Sequence, residues 1–245
     1  MLFAHGKWHG AWCWDEHFLP YFAAHGYDCT AFSLRGHAGS EGRAGLRWYS
    51  IADYVSDLEQ VADQFETPPV IIAHSMGAFI TQKYLEKHHE HPAAILLTPI
   101  PPSGLWPSTF AVLKVRPLVI LKSLAGLSLY PVVETQEVTR WSLFSGDFPD
   151  ELLENYHSKM QDESFRSYLD ELGLNLVRTK LVKTPLLVIG AEGDTVIPPR
   201  IVHRTARAYG TQAKFFANMA HDIMLETGWE GVAKTILEWL NERGL

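Results

Sequence analysis

Ser75 lies in Ala73-His74-Ser75-Met76-Gly77, between the apolar run Val70-Ala73 and the apolar pair Ala78-Phe79. A serine hydroxyl is a weak nucleophile until a base takes its proton, and a histidine base works best when a carboxylate orients it. The chain offers both partners: Asp194 at the end of Gly190-Ala191-Glu192-Gly193-Asp194, and His221 in Met219-Ala220-His221-Asp222. All three follow short apolar runs that read as strands, so all three fall in loops at strand ends, where parallel sheets collect their sites. Singly, each has a plain explanation: a helix N-cap for Ser75, a turn residue for Asp194, one of 12 histidines for His221. Together, in the order serine, acid, histidine, they point to acyl transfer through a triad.

A strand-to-helix turn of this tightness brings backbones together and needs small neighbours, usually as G-x-S-x-G. Ala73 stands at the first glycine position, a departure of one methyl group. A tetrahedral oxyanion also needs two donors. The amide of Met76, directly after the nucleophile, is one. The second is expected from the loop after the first strand, His5-Gly6-Lys7-Trp8-His9-Gly10, where Gly6 permits a sharp turn and the Lys7 amide faces the site. The Lys7 side chain is expected in solvent.

The elements that must hold these residues are legible as a rhythm. Apolar runs at Met1-Ala4, Cys29-Phe32, Val70-Ala73, Ala94-Thr98, Leu186-Gly190 and Lys214-Ala217 alternate with stretches of helical spacing, which predicts an α/β chain with a mostly parallel sheet flanked by helices. Ser50 and Asp53 form a capping-box pair ahead of Ile51, Tyr54, Val55, Leu58, Val61, Ala62 and Phe65, spaced by three and four. Further helices are expected after Met76, after Pro198-Pro199, and over about 227–241. Residues 103–182 break the rhythm: proline-punctuated apolar segments and helix-like stretches at Asp150-Met160 and Glu163-Val177, with no strand. They read as a helical cap inserted into a core domain of residues 1–102 and 183–245. The cap, rich in Leu, Val and Ile near its start, is expected to line an apolar pocket through Trp106, Phe110 and Trp141, together with Trp8 of the first loop. Trp12 and Trp14 suit core packing.

Composition narrows the partners. With 21 Lys and Arg against 28 Asp and Glu, a net charge of -7 argues against nucleic acid or an anionic membrane surface. Lys114, Arg116 and Lys122 interrupt the apolar stretch of 105–133 before it could span a bilayer. Two cysteines, Cys13 and Cys29, make no disulfide framework, and the first residues, MLFAHGKWHG, lack signal-peptide character, so a cytoplasmic location is expected. His88, His89 and His91 lack the His-x-x-x-His spacing of a helical metal site, and no phosphate-binding glycine motif follows a strand, so neither metal nor cofactor is expected. The oligomeric state stays open.

His5-Gly6, Ser33-Leu34-Arg35-Gly36-His37-Ala38-Gly39-Ser40, Ala73-His74-Ser75-Met76-Gly77-Ala78, Gly190-Ala191-Glu192-Gly193-Asp194 and Met219-Ala220-His221-Asp222 together resemble the α/β-hydrolase superfamily. The opening HGKWHGAWCW and short lead into the first strand are most similar to the branch of plant methylesterases, hydroxynitrile lyases and their bacterial esterase relatives. The resemblance implies the α/β-hydrolase fold with a helical cap, Ser75 as nucleophile, His221 as general base and acid, Asp194 as orienting carboxylate, and the Lys7 and Met76 amides as oxyanion hole. Lyases of that branch carry a lysine directly after the catalytic histidine, where this chain has Asp222, which argues against lyase chemistry. The implied activity is that of a cofactor-independent serine carboxylesterase on small to medium apolar esters. A thioesterase, lactonase, amidase or C-C bond hydrolase uses the same residues, and a slow-turnover receptor shares the fold.

Overall fold

A computed structural model describes residues 1–245. Six strands, β1 (Leu2–Ala4), β2 (Thr30–Phe32), β3 (Ile71–His74), β4 (Ala94–Leu97), β5 (Leu186–Ala191) and β6 (Ala213–Phe216), pair in the order β2-β1-β3-β4-β5-β6, all parallel. Each coincides with one of the six apolar runs to within a residue or two. β1, β3, β4 and β5 are covered on both faces, which is why they read as continuous apolar runs and not as alternating ones.

The chain passes from β1 outward to β2, then returns to place β3 on the other side of β1. The direction of winding therefore reverses between β1 and β3, and their carboxyl ends diverge to leave the crevice in which such sheets hold ligands. Ala4 pairs with Ala73, so the loops that follow these two strands begin side by side.

Eleven α-helices complete the chain: α1 (Trp12–Asp15), α2 (Phe18–Ala24), α3 (Ile51–Ala62), α4 (Ser75–Tyr84), α5 (Trp106–Val115), α6 (Pro117–Gly126), α7 (Gln136–Leu143), α8 (Asp150–Lys159), α9 (Phe165–Leu169), α10 (Pro199–Ala208) and α11 (Trp229–Asn241). At the start of α3 the capping box forms, with the Asp53 amide donating to Ser50 Oγ at 3.2 Å and the Ser50 amide to Asp53 Oδ2 at 2.8 Å. Behind it Ile51, Tyr54, Leu58 and Ala62 turn to the core, the stripe that steps of three and four predict. No helix is long and apolar enough to cross a membrane.

All the helices from α5 to α9 lie between β4 and β5, without a strand among them. Of the two helices read there from sequence, Asp150–Lys159 forms within one residue of its expected span. The other is shorter than Glu163-Val177. Ser164 caps it, accepting from the Ser167 amide at 3.0 Å, so the helix starts at Phe165; after Leu169 it loosens into one π-turn over Asp170–Leu174. Glu163 is left outside the helix, where it pairs with His37 at 3.1 Å.

Candidate active site

Ser75 begins α4 with φ +50°, a left-handed conformation that costs a non-glycine residue of order 1–3 kcal/mol and persists only where the surroundings impose it. The imposing surroundings are tight. A Cβ on Gly77 would lie 2.4 Å from the Ala4 carbonyl oxygen and 2.5 Å from that of His5, and a Cβ on Gly6 would lie 2.4 Å from His74 Nδ1. Glycine at these two places lets α4 and the loop after β1 close on each other. Ala73, fully buried in β3 between Ala4 and Leu96, keeps its methyl group where the glycine of the usual pattern would be. Gly77→Ala should destabilise the protein by about 3 kcal/mol, the upper part of the range for overpacking, because backbone carbonyls cannot swing aside. Its urea midpoint should fall accordingly; a wild-type midpoint would show that α4 and the loop after β1 have room to separate.

The three residues singled out from sequence meet at this turn. His221 Nε2 stands 2.8 Å from Ser75 Oγ, and His221 Nδ1 stands 2.8 Å from Asp194 Oδ2. Asp194 is held in turn by the amides of Val196 and Ile197, which donate to Oδ1 at 2.8 and 2.7 Å. All three side chains are buried. Burial alone would lower the His221 pKa, but the adjacent Asp194 charge and its hydrogen bond, with Asp222 beyond, hold it above the ordinary histidine value. The amides of Lys7 and Met76 donate to no protein group; Met76 follows Ser75 in the chain, and Lys7 lines the same cavity as Ser75.

The loop carrying His221 is fixed through its own carbonyl, which accepts from His74 Nε2 at 3.0 Å and from Thr98 Oγ1 at 2.9 Å. Burial and the neighbouring His221 push the His74 pKa down to about 3, so the ring is neutral and acts as a strut. His9 ties the same loop to the first one. Its Nδ1 lies 2.5 Å from the Lys7 carbonyl oxygen and its Nε2 3.0 Å from Asp222 Oδ2. Although burial works against it, the Asp222 carboxylate is held below its usual pKa by His9, with His74 and His221 nearby. His5 sets the loop's geometry from the other end: Nε2 accepts from the Leu34 amide at 3.0 Å, which leaves Nδ1 to donate to the Gly6 carbonyl at 2.8 Å.

Above Ser75 is an apolar cavity enclosing about 700 Å³, its solvent-open mouth included. Ser75, Lys7 and Trp8 form the floor, Val196 and Ile197 one side, and α5 and α6 the roof. Trp8 is where the sequence placed it, with φ +66° and its indole donating to the Leu129 carbonyl at 3.1 Å. Trp106, Phe110 and Trp141 are not in the cavity. The residues of α5 that face it are Ser108, Thr109 and Val112, preceded by Leu105, at spacings of three and four; Trp106 and Phe110 point the other way and are 52% and 53% exposed. Trp141 lies on an outer surface beneath the Arg116 guanidinium, 5.5 Å from its ring centroid.

The Lys7 side chain also departs from expectation. It is buried, 3.0 Å from Glu171 Oε2 and 3.3 Å from Ser167 Oγ, beside Met76 Sδ at 3.3 Å. Burial raises Glu171 to about 7 even with the Lys7 ammonium opposing the shift. Sequence reasoning had no access to this pair, since the two residues are far apart in the chain and neither sits in a motif. Asp222 and His9 did carry a signal: an acid directly after His221, and a second histidine in a glycine-flanked first loop. His91, from the histidine cluster, is occupied otherwise, at 2.8 Å from the Pro69 carbonyl and 2.9 Å from the Tyr84 hydroxyl.

A family model described as "Alpha/beta hydrolase family" matches residues 1–235. No curated protein matches the chain significantly. Among solved structures, Rv0554 from Mycobacterium tuberculosis is 21% identical, with 98% of this chain and 89% of that one covered and a TM-score of 0.77. A bromoperoxidase from Bacillus anthracis is 17% identical over 98% and 91%, TM-score 0.76. Polyneuridine aldehyde esterase is 17% identical over 97% of both chains, TM-score 0.75. At such identities the likeness is one of fold.

Proposed function

The chain belongs to the alpha/beta hydrolase family, and from that premise we propose that it is a serine hydrolase of the carboxylesterase type, cleaving small to medium apolar esters through an acyl-enzyme on Ser75. The observation that carries this reading is the continuous chain of 2.8 Å contacts from Ser75 Oγ through His221 to Asp194, with Ser75 lining an apolar cavity. His221, neutral at Nε2, takes the Ser75 proton as Oγ attacks the ester carbonyl. The tetrahedral oxyanion is met by the Lys7 and Met76 amides, which donate to no protein group and are free to donate to it. His221 then gives the proton to the departing alkoxide, leaving the acyl group on Ser75; a water deprotonated by the same ring releases it as a carboxylic acid. Asp194 fixes the Nδ1–H tautomer throughout and stabilises the imidazolium between steps. Residues 103–182 act as the cap that covers the acyl or alcohol portion of the substrate, and the apolar lining disfavours charged groups there.

The pH dependence follows from the sign of the His221 shift. Only neutral His221 accepts the serine proton, and its pKa is raised, so kcat/KM should climb with pH through an apparent pKa above about 6.5 and then level off. An inflection well below 6.5 would mean that another group controls the step. The reading as an enzyme is tested by turnover of p-nitrophenyl acetate, butyrate and octanoate. Rapid multiple turnover is expected; a single slow release with ligand-dependent stabilisation would instead mark a receptor.

A further inference from the structure

The roof of the cavity contains two polar atoms that its chemistry does not explain. Ser108 on α5 and Ser123 on α6 both line the cavity, both are 3% exposed, and neither hydroxyl has a hydrogen-bond partner in the protein. This is not how the chain treats buried helical hydroxyls elsewhere. Thr81 donates to the Gly77 carbonyl at 2.9 Å, Ser142 to Val138 at 2.7 Å, Ser167 to Ser164 at 2.9 Å and Thr205 to Ile201 at 3.1 Å. Thr109, also in the roof, is satisfied by the Tyr168 hydroxyl at 3.0 Å. Ser123, in mid-helix, has the Val119 carbonyl one turn back and does not use it.

We infer that the roof is a second recognition subsite, in which the Ser108 and Ser123 hydroxyls donate to an uncharged oxygen acceptor, a carbonyl or ether oxygen, on the non-reacting part of the substrate. The inference rests on the proposed reaction at Ser75 and adds a substrate class to it: an otherwise apolar ester with a second oxygen function. An acceptor is required because the missing partner is that of a donor; a serine oxygen tolerates the lack of an incoming proton far better than an O–H tolerates the lack of an acceptor. The acceptor is uncharged because the remaining wall is apolar and the one cation lining the cavity, Lys7, is already paired with Glu171.

Walking one carbonyl along a chain of fixed length tests this. The measurement is kcat/KM for p-nitrophenyl octanoate against its 4-, 5-, 6- and 7-oxo analogues. A purely apolar roof penalises the added dipole at every position, so all four ratios to octanoate fall below one. The subsite predicts a ratio of about 5 to 30 at one position, the span that one or two neutral hydrogen bonds supply. In the double variant Ser108→Ala, Ser123→Ala the ratio should drop below one, while kcat/KM for octanoate itself rises a few-fold as unpartnered hydroxyls leave the wall. Ratios below one throughout in the wild type, or a preference that survives the double variant, would overturn the subsite and leave the esterase reading standing. Failure to turn over any of the five esters would overturn the proposed function and the subsite with it.

Discussion

Ser75→Ala should lower kcat for an apolar p-nitrophenyl ester by about four orders of magnitude or more, His221→Ala should do nearly the same, and the double variant should be little worse than either. The reason lies in the shared proton. Ser75 Oγ is useful only while His221 Nε2 stands 2.8 Å away to take it, so removing one leaves the other idle. KM should change far less, because the cavity above Ser75 is lined mainly by Leu105, Val112, Ile120, Leu129 and their neighbours, which neither substitution alters. Additive losses in the double variant would mean that the two residues act in separate steps. Neither variant should unfold the protein, and Ser75→Ala keeps the strained turn that Gly77 and Gly6 impose.

Asp194→Asn should cost about 10³- to 10⁴-fold in kcat with the fold intact. Asp194 Oδ1 accepts from the Val196 and Ile197 amides, so the oxygen of an asparagine is drawn to that side and its NH2 faces His221. The His221 Nδ1 must then accept, which moves the ring proton to Nε2 and leaves nothing to receive the proton of Ser75. Asp222 is engaged elsewhere, its Oδ2 lying 3.0 Å from His9 Nε2. Glu192 is exposed. Near-full activity in Asp194→Asn would remove the orienting carboxylate from the mechanism and require a different account of how His221 is held.

Much of this fold was legible in the chain because local signals and long-range packing agree. Six apolar runs mark six strands, and the Ser50–Asp53 box marks the helix behind it. Ser75, Asp194 and His221 could be paired on paper because chain order and strand ends restrict where a triad can form. The cap face could not be read the same way. In and just before α5, Leu105, Trp106, Phe110 and Val112 are apolar on both sides of the helix, so periodicity does not say which side meets Ser75; the structure turns the smaller Ser108, Thr109 and Val112 inward and the aromatics out. Trp141 was misplaced for the same reason, bulk being no guide to direction. The Lys7–Glu171 pair was hidden for a different one. A lysine in a loop is ordinarily solvated, and only the return of the π-turn at Asp170–Leu174 against the first loop brings a buried carboxylate to meet it.

The central claim is that Ser75 is the nucleophile, and covalent capture tests it most directly. The wild-type protein treated with a fluorophosphonate should gain the mass of one phosphonyl group per chain. Peptide mapping should place that group on Ser75, and Ser75→Ala should gain nothing. An adduct on any other residue, or undiminished labelling of Ser75→Ala, would contradict the account.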